Sequence, residues 1–180
     1  MKKIITVDIE TYSPLDITEV GAYRYAQDPA FEILLLGCCT GEHDMPLVLD
    51  PSLYDDPRAT LRRVAPWLFD ASYTKRAHNA AFEWWCLSEY LGLSWSERID
   101  WLQQWECSMI HALYCGLPAQ LGALGAALQQ PEDALKMKEG KALIRYFCSP
   151  CKPTKANGGR TRNLPRHDPE KWALFKRYNG

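Results

Sequence analysis

Residues 31–39 read Phe-Glu-Ile-Leu-Leu-Leu-Gly-Cys-Cys, an apolar run broken by a single charge. It is about half the length needed to cross a bilayer, and too continuous for a strand with one wet face. It is therefore expected to be a central strand, buried within a sheet. A second β-branched stretch, Ile4-Ile5-Thr6-Val7, predicts a buried strand that stops at Asp8. A turn at residues 41–44, including His43, leads into Leu47-Val48-Leu49 and makes a hairpin, while residues 73–78 and 105–109 add two further strands.

Helical spacing alternates with these strands. It is carried by Leu61, Val64, Ala65 and Leu68 over residues 57–69, and by Phe82, Trp85, Cys86 and Tyr90 over residues 80–91. Beyond residue 110 the chain reads as mostly helical, with Leu121, Leu124, Ala127 and Leu128 on one face and Leu143, Ile144 and Phe147 on another. Asp168-Pro169 opens a last helix that places Trp172 and Phe175 together. Residues 13–29 carry turn and cap signals with little periodicity, and residues 148–165 combine three Pro, Gly158-Gly159 and, with Arg166 just after, five cations, predicting an exposed mobile loop. With no repeat and no linker, the expectation is a single α/β domain over residues 1–180 with a mixed five-stranded sheet flanked by helices.

Composition narrows the function classes. The chain is 47% hydrophobic and rich in aromatic residues, with seven Trp, nine Tyr and five Phe, which excludes a disordered polymer. No window approaches 18 uncharged apolar residues, and Asp8 interrupts the start before a signal-type stretch develops, so neither membrane insertion nor export is expected. Seven Cys, an odd number without scaffold spacing, fit reduced thiols in a cytoplasm. The net charge of -1 hides a division: residues 1–135 hold 9 Lys and Arg against 19 Asp and Glu, and residues 136–180 hold 12 against 3. An acidic body with a basic face is one arrangement that meets phosphates.

The chemistry concentrates at two places. Period two in a strand puts Asp8 and Glu10 of Asp8-Ile9-Glu10-Thr11 on one face, where their mutual repulsion is relieved by a divalent cation. In Ala77-His78-Asn79-Ala80-Ala81-Phe82-Glu83 a strand runs into a helix, with Asn79 as N-cap and Glu83 one turn inside. Three carboxylates are hard oxygen donors that suit Mg²⁺ or Mn²⁺ better than zinc. Cys148-Ser149-Pro150-Cys151 has knuckle spacing but no companion pair, so a structural zinc is not expected.

Asp-Ile-Glu-Thr at residues 8–11, followed by His-Asn-Ala-Ala-Phe-Glu at residues 78–83, resembles the first two motifs of the DEDD 3′-5′ exonuclease superfamily. Tyr178 resembles the start of its third motif, Y-x-x-x-D. The stretches Gly21-Ala22-Tyr23-Arg24-Tyr25, Lys138-Glu139-Gly140-Lys141 and residues 143–148 look like the proofreading domain of bacteriophage family A (polymerase I-type) DNA polymerases. The resemblance covers essentially the whole chain. It implies a ribonuclease H-like fold, with Asp8, Glu10 and Glu83 holding two Mg²⁺ or Mn²⁺ ions and Tyr178 aligning the attacking water. Glu83 stands where much of the superfamily has Asp.

The implied substrate is the 3′ end of single-stranded DNA, met by Thr11, Asn79, Phe82, Lys152, Lys155, Arg160 and Arg162, and the implied partner is a polymerase domain in the same or a companion chain. The closing Asp of the third motif would fall four residues past Tyr178. On that reading the chain is the amino-terminal piece of a longer polymerase, weakly active or inactive by itself, in the cytoplasm of a host cell. Two alternatives stay open: a catalytically incomplete nucleic-acid-binding module of the same fold, and an exonuclease directed at RNA.

Overall fold

In the computed structural model, which describes residues 3–41, 46–130 and 140–179, β1 (Lys3–Tyr12) buries Ile5, Val7 and Ile9 on one side by the period of two. The strand does not stop at Asp8. Antiparallel β2 (Glu32–Cys39) supplies it with backbone partners as far as Tyr12, opposite Glu32, so Asp8 and Glu10 lie within the strand and not after it. β3 (Leu47–Leu49) extends the sheet beyond β2, while β4 (Tyr73–Ala77) and β5 (Trp105–Cys107) pair in parallel on the other side of β1. The order is β3-β2-β1-β4-β5, a mixed five-stranded sheet of ribonuclease H-like α/β type, as the sequence predicts. The expected hairpin turn includes His43, which with residues 42–45 lies outside the described residues, as do Lys138 and Glu139.

Eight helices surround the sheet among the described residues: α1 (Ile17–Ala26), α2 (Pro57–Val64), α3 (Ala80–Tyr90), α4 (Trp95–Leu102), α5 (Ser108–Tyr114), α6 (Leu121–Ala127), α7 (Gly140–Cys148) and α8 (Pro169–Tyr178). α1 escapes the periodicity argument because it is kinked at Gly21 and buries only Tyr25 and Ala26. α4 is a short helix with a legible start, since Ser94 and Glu97 form a reciprocal capping box. The helix expected over residues 57–69 ends at Val64, because Pro66 lacks the N–H that would continue it and opens a separate 3-10 turn. Among the described residues no helix is long and apolar enough to cross a membrane.

Two cores cover the two faces. Ile5, Val7 and Ile9 meet Tyr25, Leu61, Leu68, Trp84, Leu87 and Trp101 on one side. Tyr12, Leu34 and Leu35 meet Leu143, Phe147, Trp172 and Phe175 on the other. The register slips between Glu10, opposite Leu35, and Thr11, opposite Ile33, so Leu34 is an extra residue and two consecutive leucines serve one core. α8 is tied down by its Trp172 indole, which donates to the buried Asp50 carboxylate at 2.8 Å. The segment after α7 is not a loose loop: the Asn157 side chain accepts from Thr154 and Gly159 and donates to the carbonyls of Lys152 and Arg160.

Candidate active site

β1 and β4 run parallel, so the second half of β1 and the start of α3 lie toward the same end of the sheet, where strand carboxyl ends leave a crevice. Asp8 is opposite Gly37 and Glu10 opposite Leu35, which puts both carboxylates on the face covered by α7 and α8. Asp8 is exposed, whereas Glu10 is 8% exposed. Cys148, the last residue of α7, donates its thiol to Glu10 Oε2 at 3.6 Å. Burial first, and the Glu10 charge second, hold that thiol well above the usual range.

Glu83 in the first turn of α3 is 3% exposed, far from the solvated residue that a capped helix would present. Its Oε2 is buried with no hydrogen-bond partner. Burial, opposed by its own backbone N–H and reinforced by the charges of Asp8, Cys107 and Glu10, pushes its carboxyl up to about 8. The three predicted carboxylates thus lie within electrostatic reach of one another, and the innermost holds a proton at neutral pH. Among the described residues no three His, Cys, Asp or Glu side chains are grouped so as to hold a metal ion, so Asp8, Glu10 and Glu83 are not drawn together into a ligand set. The donor chemistry fits a hard divalent cation: an orphaned buried carboxylate oxygen within electrostatic reach of two further carboxylates can take either a proton or a metal ion.

Asn79 caps α3 in position only. It adopts the left-handed conformation at φ +73° and makes no side-chain cap bond, contrary to the cap expected from its residue type. The residue is exposed, and its left-handed conformation is one that Asn tolerates better than most side chains. Its neighbour His78 is fixed structurally, one ring nitrogen on the Ala119 carbonyl at 2.7 Å and the other on Ser108 Oγ at 3.1 Å. Cys107, to which the sequence assigns no role, sits where α3 and α5 begin. Burial alone would raise its thiol, but hydrogen bonds from the N–H groups of Ile110, Ala80, Asn79 and Met109 outweigh it and hold the thiol below its ordinary value.

Glu10, Thr11 and Phe82 line a cleft of about 570 Å³, together with Tyr25, Ile144 and Cys148. The Thr11 and Tyr25 hydroxyls bond to each other at 3.1 Å, and burial pushes Tyr25 up to about 12 despite that bond. Leu15 and Ile17 form an apolar rim. Asp8, Asn79, Glu83, Tyr178 and the four predicted cations are not part of this wall.

Tyr178 ends α8 half-buried, its ring stacked on Phe175 and seated against Gly140, where a Cβ would overlap it. Gly37 allows the same approach on the sheet side: a Cβ there would meet the Asn179 carbonyl at 3.2 Å, directly opposite Asp8 in the register. Lys152 and Lys155 are exposed. Arg160 is instead engaged by Asn163 at 2.9 Å, and Arg162 pairs with Glu32 and stacks on the Tyr12 ring at 3.8 Å. Cys148 and Cys151 have different partners, Glu10 and the Arg160 carbonyl, and both are free thiols.

The chain is similar to a bacteriophage DNA polymerase. It is 43% identical over 177 residues to the DNA polymerase of Bacillus phage SP02, a match that covers 98% of this chain and 26% of that protein. The chain therefore spans about a quarter of the relative's length. No protein-family model matches it. The likeness extends over β1, α3 and α8 alike and supports a polymerase-associated domain.

Proposed function

We propose that this chain is the metal-dependent 3′-5′ exonuclease domain of a phage-type DNA polymerase, acting on single-stranded DNA ends in proofreading. The observation that carries the proposal is Glu83: a buried carboxylate with an unpartnered oxygen, raised to about 8, within electrostatic reach of Asp8 and Glu10. A structural glutamate at that depth would have an ion-pair or hydrogen-bond partner for each oxygen. The similarity to a phage DNA polymerase supports the substrate class.

Asp8, Glu10 and Glu83 would hold Mg²⁺ or Mn²⁺, with Glu83 giving up its proton as it does so. When bound, a pair of such ions supplies a metal-activated water and neutralises charge on the phosphate. The rest falls to the chain's own side chains. Thr11, Phe82 and the apolar rim receive the terminal nucleotide in the cleft, by stacking and backbone contact instead of base-edge reading, which suits an end that is frayed because it is mismatched. Asn79 presents its amide at the edge, Tyr178 presents a hydroxyl from the end of α8, and Lys152 and Lys155 follow the phosphates upstream.

The test is a 5′-labelled single strand incubated in Mn²⁺ with a protein that carries this chain together with the third-motif Asp expected four residues past Tyr178, the chain alone being slower or inactive. A ladder shortening from the 3′ end, abolished by Asp8→Ala, is the expected result; equal trimming by the variant would overturn it. A second reading, a binding module of the same fold that lacks a complete metal site, is favoured by the absence of a finished ligand set among the described residues. It predicts a strand that is bound and left intact in both Mg²⁺ and Mn²⁺.

A further inference from the structure

Glu10 sits at an irregularity in the β1–β2 ladder, where the register passes from Leu35 to Ile33 between Glu10 and Thr11. Such a step twists the strand and re-aims the side chains beside it. At this step α7 ends. Phe147 is 1% exposed, with its ring 5.0 Å from that of Trp172 and 5.4 Å from that of Phe175, so the end of the helix is fixed in the core. The next residue, Cys148, turns back to the sheet, where its thiol donates to Glu10 Oε2 at 3.6 Å. Glu10, Cys148 and Thr11, the residue on the other side of the register step, all line the same cleft.

We propose that Cys148 is a positioning residue for Glu10, its thiol helping to hold the carboxylate in the orientation it presents to a cation. The inference rests on the metal-dependent reading above. Glutamate loses more rotamer freedom on ordering than most side chains, so a ligand oriented beforehand binds metal more tightly than a mobile one. A thiol is a weak donor, which places the effect at the lower end of those seen for partners of metal ligands.

The experiment titrates the chain with Mn²⁺, following free Mn²⁺ by electron paramagnetic resonance, so that no hydrolysis is required. Cys148→Ala is expected to weaken binding about three- to tenfold, with Cys148→Ser, which keeps a donor, restoring it to within about twofold of the parent, and Glu10→Ala weakening it further. A Cys148→Ala protein that binds like the parent, while Glu10→Ala does not, overturns the positioning role and leaves the metal reading standing. A Glu10→Ala protein that binds like the parent overturns both.

A metal-free readout accompanies this. The S–H stretching band that disappears in Cys148→Ala should shift to higher frequency in Glu10→Ala, and a band that stays in place overturns the thiol–carboxylate hydrogen bond itself. A merely structural Cys148 would lower thermal stability on replacement by Ala without changing Mn²⁺ binding. Should Cys148→Ala fail to fold, Cys148→Val, which keeps the volume and lacks a donor, takes its place: weakened Mn²⁺ binding that Cys148→Ser restores supports the role, and binding like the parent overturns it.

Discussion

Glu83 shows what one side chain gains by its depth. Taken alone, its residue type and its place in a capped helix predict a solvated carboxylate; only the motif resemblance groups it with Asp8 and Glu10, and neither reveals its burial. The depth has a measurable consequence in chelator. The folded carboxyl, near 8 against an ordinary 4.5, keeps a proton that the unfolded chain has already released between those values. Its contribution is therefore fully present below about 4.5 and lost as pH rises through 8. Denaturant unfolding of the metal-free protein should show stability falling from pH 5 to pH 8 by about 2–4 kcal/mol more than in Glu83→Gln, at about 1.4 kcal/mol per unit of pKa shift. Parallel curves for the two proteins would mean that Glu83 ionises normally.

Lys75 is equally illegible in the sequence. It is fully buried in β4, where its ammonium donates to the carbonyls of Asp70 and Tyr73 and to the Gln104 side chain, and burial pushes it down to about 8. Two of these acceptors, Asp70 and Gln104, come from outside the strand, so neither the period of the strand nor its composition announces them.

At the scale of elements, strands and long helices are legible because their apolar periodicity is a local property. β1 outruns its expected end at Asp8 because strand length is decided by the partner strand, and α2 falls short because Pro66 interrupts the pattern that Leu68 continues. Asn79 is the informative case among the junctions. Its type predicts the cap position correctly, yet the observed φ of +73° leaves the side chain uncommitted to capping.

Asn79→Gly should hold or raise the unfolding free energy, by up to about 1 kcal/mol, because glycine adopts this conformation without strain. Asn79→Ala should lower it by about 1 kcal/mol, since a Cβ is disfavoured there. Both should weaken single-strand binding if the amide touches substrate. Binding unchanged in both, measured by fluorescence anisotropy, would reduce Asn79 to a junction residue.

Across the whole molecule, the charge division read from the sequence becomes a division of labour within the basic segment. Lys152 and Lys155 are exposed, whereas Arg162 is held by Glu32 and Tyr12 and ties the segment after α7 to the start of β2. Counting cations along the chain cannot separate these two uses; only their partners do. Replacing Lys152 or Lys155 with Ala should lower the slope of log affinity for single-stranded DNA against log salt by about 0.7 for each lysine that meets a phosphate, with little change in stability. Arg162→Ala should instead cost on the order of 1 kcal/mol of stability, because it removes both the stacking on Tyr12 and the ion pair with Glu32. A slope unchanged by the double lysine replacement would assign that face to solubility.

Three carboxylates, separated by up to 75 positions in sequence, carry the proposed chemistry by acting on one cation site. Anomalous diffraction from a crystal of this chain soaked in Mn²⁺ addresses that claim most directly. A peak is expected between Asp8, Glu10 and Glu83, with carboxylate oxygens drawn to roughly 2.0–2.6 Å from it. Mn²⁺ bound only elsewhere, or a soaked site in which Glu83 keeps its buried position without touching metal, would contradict it.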